Sequence, residues 1–416
     1  MAEARVDAAR AWRWLMQLAE ITEAHEPWTR RAFTTRHLAG RAWLTERMHE
    51  LGLATHVDAA GNLIGRAAGT TFPERSIVVG SHSDTVARGG RFDGIAGVIA
   101  GLELAAALAA RGRSLRHSFD VIDFLAEEPN EFGLSCIGSR GMAGALDTHM
   151  LSRCSPAGRT LREALTDYGA PAQDPRSAVR GDIAACFELH IEQGPVLEQE
   201  HIALGIVTHI VGIRRLSVVF AGQAAHAGTT PLNLRQDALA AASHLVLALR
   251  RALQQAPTDG GYVIATVGQM ELIPNAANVI AGEARLTVDV RADQPAALAA
   301  WSDRVRSLAE DAARAQRVHV REVRLLSSSE PTHCAPELAA LLRSAAHELG
   351  LSQRDLVSGA GHDAAFIARI APAAMLFVPS RAGLSHCAEE WTEPDELANG
   401  IAVLLAAVQR FDEVTV

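Results

Sequence analysis

The sequence predicts an α/β protein with a discontinuous main domain and a smaller inserted domain. Three observations lead to this fold class. At 416 residues the chain is longer than the roughly 100 to 200 residues of one typical domain. Apolar strands alternate with helical segments at both ends of the chain, which is typical of a mixed, largely parallel sheet flanked by helices. The middle of the chain instead follows the order β-α-β-β-α-β of a ferredoxin-like domain.

The main domain is predicted over residues 1–210 and 328–416. Its strands are expected at the apolar runs "NLIGR", "SIVVG", "FDVIDFLAE", "ACFELHI" and "AAMLFVP". Helical periodicity predicts helices over residues 7–24, 36–52, 95–111, 336–349 and 393–411.

The inserted domain is predicted over residues 211–327. Its strands are expected at "VGIRRLSVVFAG", "YVIATVGQM", "VIAGEARLTVDVR" and "RVHVREVRLL". Its two helices are expected at "PLNLRQDALAAASHLVLALRRAL" and "PAALAAWSDRVRSLAEDAARA". Such a unit can form a compact four-stranded sheet on its own.

Composition excludes several classes of function. Charged residues make up 21% and hydrophobic residues 48% of the chain, the balance of a globular protein. The net charge of −9 gives no basic surface for nucleic acid or an anionic membrane, so a small molecule is the expected partner. No lysine occurs in the chain, which excludes a Schiff base to pyridoxal phosphate and a P-loop lysine.

Cysteine usage and the apolar segments predict a cytoplasmic protein without a membrane anchor. The five cysteines are widely spaced and form no C-x-x-C pair, so reduced thiols are expected rather than disulfides or a thiolate zinc site. The N-terminal segment "MAEARVDAARAWRWLMQLAE" predicts an amphipathic helix and not a signal peptide. The longest apolar segment, "GIAGVIAGLELAAALAARG", contains Glu103 and is too short to cross a bilayer.

The segment "GSHSDTVARGGRFDG", Gly80 to Gly94, carries the first candidate site. Side chains alternate faces along a strand, so His82 and Asp84 project the same way at the end of "SIVVG". A histidine at the carboxyl end of such a strand can ligate a metal, and a nearby carboxylate can orient its ring. Asp93 follows on a glycine-flanked loop. Taken alone, a polar turn with a capping aspartate is the simpler explanation.

Three further segments supply histidine or carboxylate side chains at strand ends or on loops. Glu127 and Glu128 end the strand of "DFLAEEPNEFGLSCIGSR", either as a solvated strand end or as a metal ligand beside a general base. His190 alternates with acidic residues in "CFELHIEQGPVLE", where an ordinary buried histidine is the alternative. His386 follows the strand of "MLFVPSRAGLSHCAEEW", and the adjacent Cys387 is expected to be a bystander.

Together the four segments indicate a metal site in the main domain. Mixed imidazole and carboxylate ligation suits Zn, Mn, Co or Ni. The candidate ligands outnumber those that one tetrahedral catalytic ion needs, and a carboxylate bridging two ions accounts for the surplus. Asp93 is the natural bridge, so two divalent cations are expected.

Five segments in a fixed order carry a resemblance to a known family: "GSHSDTVARGGRFDG", "EEPNEFGLSCIGSRGMAG", "ELHIEQGPVLE", "HAGTTPLNLRQDAL" and "FVPSRAGLSH". With these segments the chain resembles the hydantoinase/carbamoylase family of dinuclear metallo-amidohydrolases, within the aminoacylase and metallo-carboxypeptidase clan. The resemblance extends over essentially the whole chain. It implies a discontinuous catalytic domain and an inserted lid/dimerisation domain, and therefore a homodimer.

The resemblance also implies a role for each metal-site residue. Each ion would have three ligands, with Asp93 shared between the two ions. The implied ligand sets are His82, Asp93 and His190 for one ion and Asp93, Glu128 and His386 for the other. Asp84 would orient the first histidine, and Glu127 would be the general acid/base.

Further residues are implied to contact the substrate. His226 of "AAHAGTTP" would stabilise the transition state, reaching the active site of the partner subunit. Asn278 and Arg291 would bind a substrate carboxylate, for which a guanidinium fork is suited. Gly361 would contribute a backbone contact, with Gln193 as a weaker neighbour. Without the resemblance, a surface arginine and a turn asparagine are the ordinary explanations.

The implied reaction is that of a hydrolase acting on non-peptide C–N bonds. An N-carbamoyl amino acid would be cleaved to amino acid, ammonia and carbon dioxide, with a hydroxide bridging the ions attacking the ureido carbon. Glu127 would transfer the proton, and His226 would stabilise the oxyanion. An allantoate or ureidoglycolate amidohydrolase and an N-acyl amino acid deacylase or peptidase are the alternatives. A non-catalytic binding protein is disfavoured, since it would not need the base and the full ligand set.

Overall fold

The computed structural model describes residues 6–112, 114–171, 174–256 and 261–414, and the chain divides into two compact units. The first unit comprises the described residues up to Thr208, His333–Leu356, and those from His362 onward. The second unit comprises His209–Thr332 and Val357–Gly361.

Strands and helices alternate along much of the described chain. The strands are β1 (Ala54–Val57), β2 (Leu63–Ala67), β3 (Phe72–His82), β4 (His117–Phe124), β5 (Ile183–Ile191), β6 (Leu204–Ile210), β7 (Gly212–Ala221), β8 (Ala225–His226), β9 (Val263–Ile273), β10 (Val279–Ile280), β11 (Glu283–Ala292), β12 (His319–Ser329), β13 (Thr332–His333), β14 (Gln353–Ser358) and β15 (Ala373–Val378). The α-helices are α1 (Ala8–Ala19), α2 (Thr35–Glu50), α3 (Ile95–Ala109), α4 (Ile137–Met142), α5 (Thr148–Leu151), α6 (Leu161–Asp167), α7 (Val196–Glu200), α8 (Ala238–Gln254), α9 (Pro295–Gln316), α10 (Pro336–Glu348), α11 (Ala364–Ile367) and α12 (Pro394–Val414).

The larger sheet has a parallel centre and antiparallel flanks. Its strand order is β1-β2-β4-β3-β5-β15-β6-β13, and β14 also pairs with β6. The central strands β4, β3, β5 and β15 run parallel, whereas β2 and β6 pair antiparallel on either side of them. The predicted α/β class with a mixed sheet is therefore confirmed. All four carboxyl ends of the parallel strands meet at one edge of the sheet.

Burial explains why the central strands are continuous apolar runs. Every residue of β4, β5 and β15 is buried, as expected for parallel strands covered on both faces. Helix α3 packs against β3 and is also covered by α1 and α12. Its one acidic residue, Glu103, is fully buried and forms an ion pair with Arg10 at 2.7 Å, which offsets the cost of burying the carboxylate.

The second unit contains a four-stranded antiparallel sheet of order β12-β7-β11-β9. Helices α8 and α9 pack on this sheet and share one hydrophobic core with it. A separate two-stranded ribbon joins β8 to β10.

Several predicted elements differ from those of the structure. The helix expected from Pro231 begins only at Ala238, because the side chain of Asp237 caps it by accepting from the backbone N–H groups of Leu239 and Ala240. The strand expected at "VIAGEARLTVDVR" is two strands, β10 and β11. Helix α1 ends at Ala19, earlier than predicted, and β1, β6, β13 and β14 were not predicted.

Two further features of the fold concern its helices and its cysteines. Within the described ranges, no helix combines the length and apolarity that crossing a bilayer requires. The cysteines at positions 136, 154, 186, 334 and 387 are all free thiols.

Candidate metal centre

The parallel strands bring the candidate ligands of the first unit to one edge of the sheet. His82 is the last residue of β3, and His190 lies near the end of the adjacent strand β5. Glu127 and Glu128 follow β4, and His386 lies on the loop after β15. Residues far apart in sequence therefore converge because their strands end side by side.

Asp93 lies between three imidazole rings. Its Oδ1 is 3.1 Å from Nε2 of His190 and 3.6 Å from Nε2 of His82. Its Oδ2 is 2.9 Å from Nε2 of His386, and Oε1 of Glu128 is 3.3 Å from that same nitrogen. These residues form two groups, and within each group the potential ligand atoms lie within 4.8 Å of one another. Both groups contain Asp93: His82–Asp93–His190 and Asp93–Glu128–His386.

A glycine makes the first of these groups possible. Gly94 has φ of 67°, a region that residues with a β-carbon rarely adopt. A β-carbon there would overlap the ring of His82. The loop can therefore bring Asp93 close to the histidine only with glycine at the next position.

Backbone carbonyls fix the tautomers of two histidines. Nδ1 of His82 donates to the carbonyl oxygen of Asp84 at 2.9 Å, and Nδ1 of His190 donates to that of Ile191 at 2.9 Å. In the neutral form of each ring this leaves Nε2, which faces Asp93, as the unprotonated nitrogen. Burial lowers the pKa of His82 to about 4, so its ring is neutral at physiological pH. This arrangement is the one expected of metal-ligating histidines.

The charges at the centre also fit divalent cations. Burial raises the pKa of Asp93, but hydrogen bonds with His190 and His386 outweigh it and hold that pKa well below its usual range. Burial lowers the pKa of His190, but the bond to Asp93 raises it to about 9. Hydrogen bonds to Asp93 and Glu128 raise the pKa of His386 to about 11. Protons on these rings balance the carboxylates, and a divalent cation ligated by the same atoms would supply that positive charge.

The carboxylate and the backbone carbonyl of Asp84 contact different residues of the candidate metal centre. Its carboxylate accepts from the backbone N–H of Glu127 through Oδ1 and of Glu128 through Oδ2, each at 3.2 Å. Its Oδ1 is 3.6 Å from Nδ1 of His82, so the hydrogen bond to that ring is made by the backbone carbonyl. The carboxylate therefore holds the loop of the two glutamates in place.

Glu127 has the environment of a group that exchanges protons. It follows Ala126, whose φ of 54° turns the chain at the strand end. Its Oε1 accepts from the thiol of Cys136 at 3.2 Å, and its Oε2 is 3.8 Å from Nε2 of His82. Burial and the charge of Glu128 raise the pKa of Glu127 well above its usual range. A buried carboxyl with a raised pKa beside metal ligands is typical of a general acid/base.

Gln193 is engaged with the metal-site residues. Its Nε2 donates to Oδ2 of Asp93 at 2.9 Å and to Oγ of Ser385 at 3.1 Å. The sequence predicted it as a neighbour of the substrate, and the structure brings its amide to the shared carboxylate.

Two residues without a predicted role also lie at this edge. Glu188, His190 and His362 form a third compact group of potential ligands. The carboxylate of Glu188 accepts from Oγ of Ser81 at 2.7 Å and from the backbone N–H of Ala364 at 2.9 Å. The ring of His362 is centred 4.5 Å from that of His190. The period of two in "CFELHI" was the available signal for Glu188, since it shares a face with His190.

His226 and Asn278 lie together in the second unit, with His226 at the end of β8 and Asn278 directly before its partner strand β10. The backbone N–H of Ala227 donates to the carbonyl oxygen of Asn278 at 3.0 Å. Nδ1 of His226 accepts from the backbone N–H groups of Gly228 and Thr229 at 3.1 and 3.2 Å. The ring is exposed, and in its neutral form the proton is on Nε2.

Arg291 is held by its own neighbours in the second unit. Its Nε donates to Oδ1 of Asp289 at 2.7 Å, and its Nη1 donates to the carbonyl oxygen of Gly359 at 2.8 Å. Gly361 lies on the same short segment, Val357–Gly361. These contacts fix the plane of the guanidinium group.

Arg291 lies at one end of the four-stranded sheet, and the ribbon that carries His226 follows the opposite end. Glu283, the first residue of β11, pairs with Ala221 at the end from which the chain continues to β8. Arg291 is eight residues further along β11, a length of roughly 27 Å at 3.4 Å per residue. One small molecule cannot contact both side chains of the same chain in this conformation of the unit.

Comparisons with known proteins identify the family. The model of peptidase family M20/M25/M40 matches residues 78–410, so the chain belongs to this family of metal-dependent hydrolases. The N-carbamoyl-L-amino-acid amidohydrolase of Paenarthrobacter aurescens is 38% identical over 411 residues, covering 98% of this chain and 99% of the relative. The ureidoglycolate hydrolase of Oryza sativa subsp. japonica is 32% identical over 422 residues, covering 97% and 85%.

A solved structure gives the same result. An amidase of the hydantoinase/carbamoylase family from Burkholderia multivorans superimposes with a TM-score of 0.91 at 37% identity, covering 99% of this chain and 100% of that one. The predicted resemblance is confirmed.

Proposed function

We propose that this protein hydrolyses the ureido C–N bond of N-carbamoyl-L-amino acids, releasing the amino acid, ammonia and carbon dioxide. The observation that carries the proposal is Asp93, one carboxylate shared by two compact ligand groups, with the buried Glu127 beside them. The similarity to an N-carbamoyl-L-amino-acid amidohydrolase over nearly the whole of both chains supports the choice of substrate.

Two divalent cations, Zn, Mn, Co or Ni, are the proposed cofactors. His82, Asp93 and His190 would hold one, and Asp93, Glu128 and His386 the other; both sets have the mixed nitrogen and oxygen donors that these metals accept. When bound, such ions polarise a carbonyl oxygen and acidify water.

Glu127 is the proposed general acid/base. As a carboxylate it accepts a proton from the attacking water, and as a carboxylic acid it donates that proton to the leaving nitrogen. Its raised pKa favours the second step, because it makes the protonated form easier to populate than for an exposed glutamate. Asp84 supports this role by holding the backbone of residues 127 and 128.

His226, Asn278 and Arg291 are the proposed substrate-facing residues of the second unit. The tautomer of His226 supports a donor role, since an exposed Nε2–H can stabilise an oxyanion. Arg291 and Asn278 would bind the substrate carboxylate, with a backbone contact from Gly361. We propose that Gln193 contributes through Asp93, to which its amide donates.

A homodimer through the second unit is part of the same proposal. Because Arg291 and His226 lie at opposite ends of the sheet within one chain, a site that uses both needs His226 from the partner. Exposed apolar side chains of this unit support an interface: Leu232 is 79% and Leu234 65% exposed, with Ile264, Met270 and Ile273 exposed along β9.

Hydrolysis of ureidoglycolate or allantoate is the second candidate, because one similar relative is a ureidoglycolate hydrolase. These compounds also combine a ureido group with a carboxylate. N-acyl amino acid hydrolysis remains the third candidate. The free thiols support the predicted cytoplasmic location.

A substrate panel tests the proposal. Purified protein loaded with each of the four metals is assayed for ammonia and amine release. The panel contains N-carbamoyl-L- and D-α-amino acids, N-carbamoyl-β-alanine, allantoate, ureidoglycolate and N-acetyl amino acids. The highest kcat/KM is expected for an N-carbamoyl-L-α-amino acid. A higher value for ureidoglycolate or allantoate would favour the second candidate, and release only from N-acetyl compounds would reject both.

A further inference from the structure

Glu390 is a fully buried carboxylate between two loops that carry candidate metal ligands. Its Oε1 accepts from the backbone N–H of Phe92 at 2.8 Å and of Asp93 at 3.1 Å. Its Oε2 accepts from Oγ of Ser385 at 2.7 Å, immediately before His386. One side chain therefore contacts both the loop of Asp93 and the loop of His386.

The loop sequence is adapted to this contact. A β-carbon at Gly90 would overlap the carboxylate of Glu390, so only glycine permits the close approach. Next to it, the guanidinium of Arg91 lies 4.7 Å from the ring centre of Trp28 and 4.6 Å from that of Trp391. The residues on either side of the carboxylate are thus packed around it.

A closed ring of hydrogen bonds runs through Glu390. It passes from Glu390 to the backbone of Asp93, from the carboxylate of Asp93 to Gln193, from Gln193 to Ser385, and back to Glu390. The ring joins the start of α3, the end of β5 and the loop after β15. Members of such a ring constrain one another, so loss of one member loosens the others.

His386 depends on this support more than the other ligands do. Its side chain is 47% exposed, whereas the other candidate ligands are buried. Its φ of 56° lies in the left-handed region, which costs free energy for a residue with a β-carbon. Contacts of neighbouring residues must therefore hold His386 in this conformation. The hydrogen bond from Ser385, the preceding residue, to Glu390 is such a contact.

We propose that Glu390 is a positioning residue that fixes Asp93 and His386 relative to each other and thereby sets the affinity for the second divalent cation. The inference rests on the proposed metal site. It assigns to Glu390 no contact with substrate or with a cation.

The test measures cation binding rather than turnover. Wild type and Glu390→Gln are stripped with a chelator and titrated with Zn²⁺ and separately with Mn²⁺ against a competing chelator. The glutamine keeps the size of the side chain, but its amide nitrogen cannot accept from Ser385. We expect the dissociation constant of the more weakly bound cation to rise about 10- to 100-fold, as it does when other residues that orient metal ligands are replaced.

Asp412→Asn is the matched control. Asp412 is also a buried carboxylate that accepts from two backbone N–H groups, those of Arg116 and His117 at 2.8 and 2.9 Å, but none of its contacts is a candidate ligand. It should lower the thermal midpoint and leave both dissociation constants unchanged. An equal loss of affinity in both variants would overturn the inference, because general destabilisation would then explain the effect.

Ser385→Ala keeps the inference testable if the glutamine variant does not fold, since this side chain is only partly buried. The variant loses both hydrogen bonds of the hydroxyl group, the one to Glu390 and the one from Gln193, and should weaken binding of the second cation about 2- to 10-fold. Wild-type cation affinity in a folded Glu390→Gln variant or in Ser385→Ala would reject the role of Glu390 and leave the proposed metal site standing. Failure of the wild-type chain to bind any cation would instead reject the proposed metal site.

Discussion

The candidate metal ligands of the first unit and the proposed substrate-facing residues of the second unit differ in how far one chain assembles them. In the first unit, Asp93 lies within 3.6 Å of three imidazole nitrogens, and all ligands but His386 are buried. In the second unit, His226 is exposed and lies beyond the Glu283 end of β11. Arg291 is roughly 27 Å further along that strand. The first set is thus formed by adjacent strand ends of a single chain, whereas a site that combined His226 with Arg291 would need another copy of the chain.

The largest expected effect is on turnover, and it follows from replacing Glu127, the proposed general base. Glu127→Gln removes the proton acceptor but keeps the hydrogen-bonding shape of the side chain. We expect kcat to fall about 10²- to 10⁴-fold. Metal content, measured on the same sample, should equal that of the wild type. Near wild-type turnover with metal bound would show that another group transfers the proton.

His226→Ala should reduce kcat about 10²- to 10³-fold, the loss found when one oxyanion donor is removed. His319→Ala is the control, because His319 is another exposed histidine of the same unit, at the start of β12. Equal activities of the two variants would remove His226 from the mechanism.

Mixed dimers of these two variants show which chain supplies His226 to a site. Homodimers of Glu127→Gln lack the base in both sites, and homodimers of His226→Ala lack the oxyanion donor in both sites. If the donor comes from the partner, a hybrid of the two variant chains contains one intact site. After exchange of subunits, activity should return to about a quarter of the wild-type value, since about half of the dimers are hybrids with one intact site in two. No recovery, with hybrids demonstrated by mass, would place His226 and Glu127 of one chain in the same site.

Arg291→Lys keeps the charge but loses the planar fork. We expect KM for carboxylate-bearing substrates to rise about 10- to 100-fold, with a smaller change in kcat. Neutral ureas should be unaffected. Arg285→Lys, on the same strand and exposed, is the control. An equal effect of Arg291→Lys on neutral ureas would contradict the carboxylate contact.

The last expected effect concerns the pH dependence of cation binding rather than turnover. The pKa values of about 9 for His190 and about 11 for His386 lie above the usual 6.5, so both rings hold protons at neutral pH that a cation must displace. Affinity should therefore increase as pH rises from 6.5 towards 9, by roughly tenfold per pH unit for each displaced proton. Titration calorimetry in buffers of different ionisation enthalpy counts these protons. Affinity independent of pH would show that the rings are already neutral.

The sequence allowed prediction of the residues whose positions follow from strand periodicity. His82, Glu128 and His190 each lie at or near the end of an apolar run, and parallel strands bring such ends together. The role of Glu390 could not be predicted in this way. The hydrogen bond from the backbone N–H of Phe92 to Glu390 joins residues 298 positions apart. This contact depends on the path of an irregular loop, which periodicity does not predict. The late start of α8 was likewise set by a local contact, the cap at Asp237, which competes with helical periodicity.

We propose that cleavage of an N-carbamoyl-L-amino acid needs two cations held through Asp93. The most direct measurement is ammonia release from such a substrate by chelator-stripped protein, recorded as cation is added in steps below and above two equivalents. The proposed site predicts low activity up to one equivalent and a steep increase that ends at two. Full activity in the stripped protein, or a plateau at one equivalent, would contradict it.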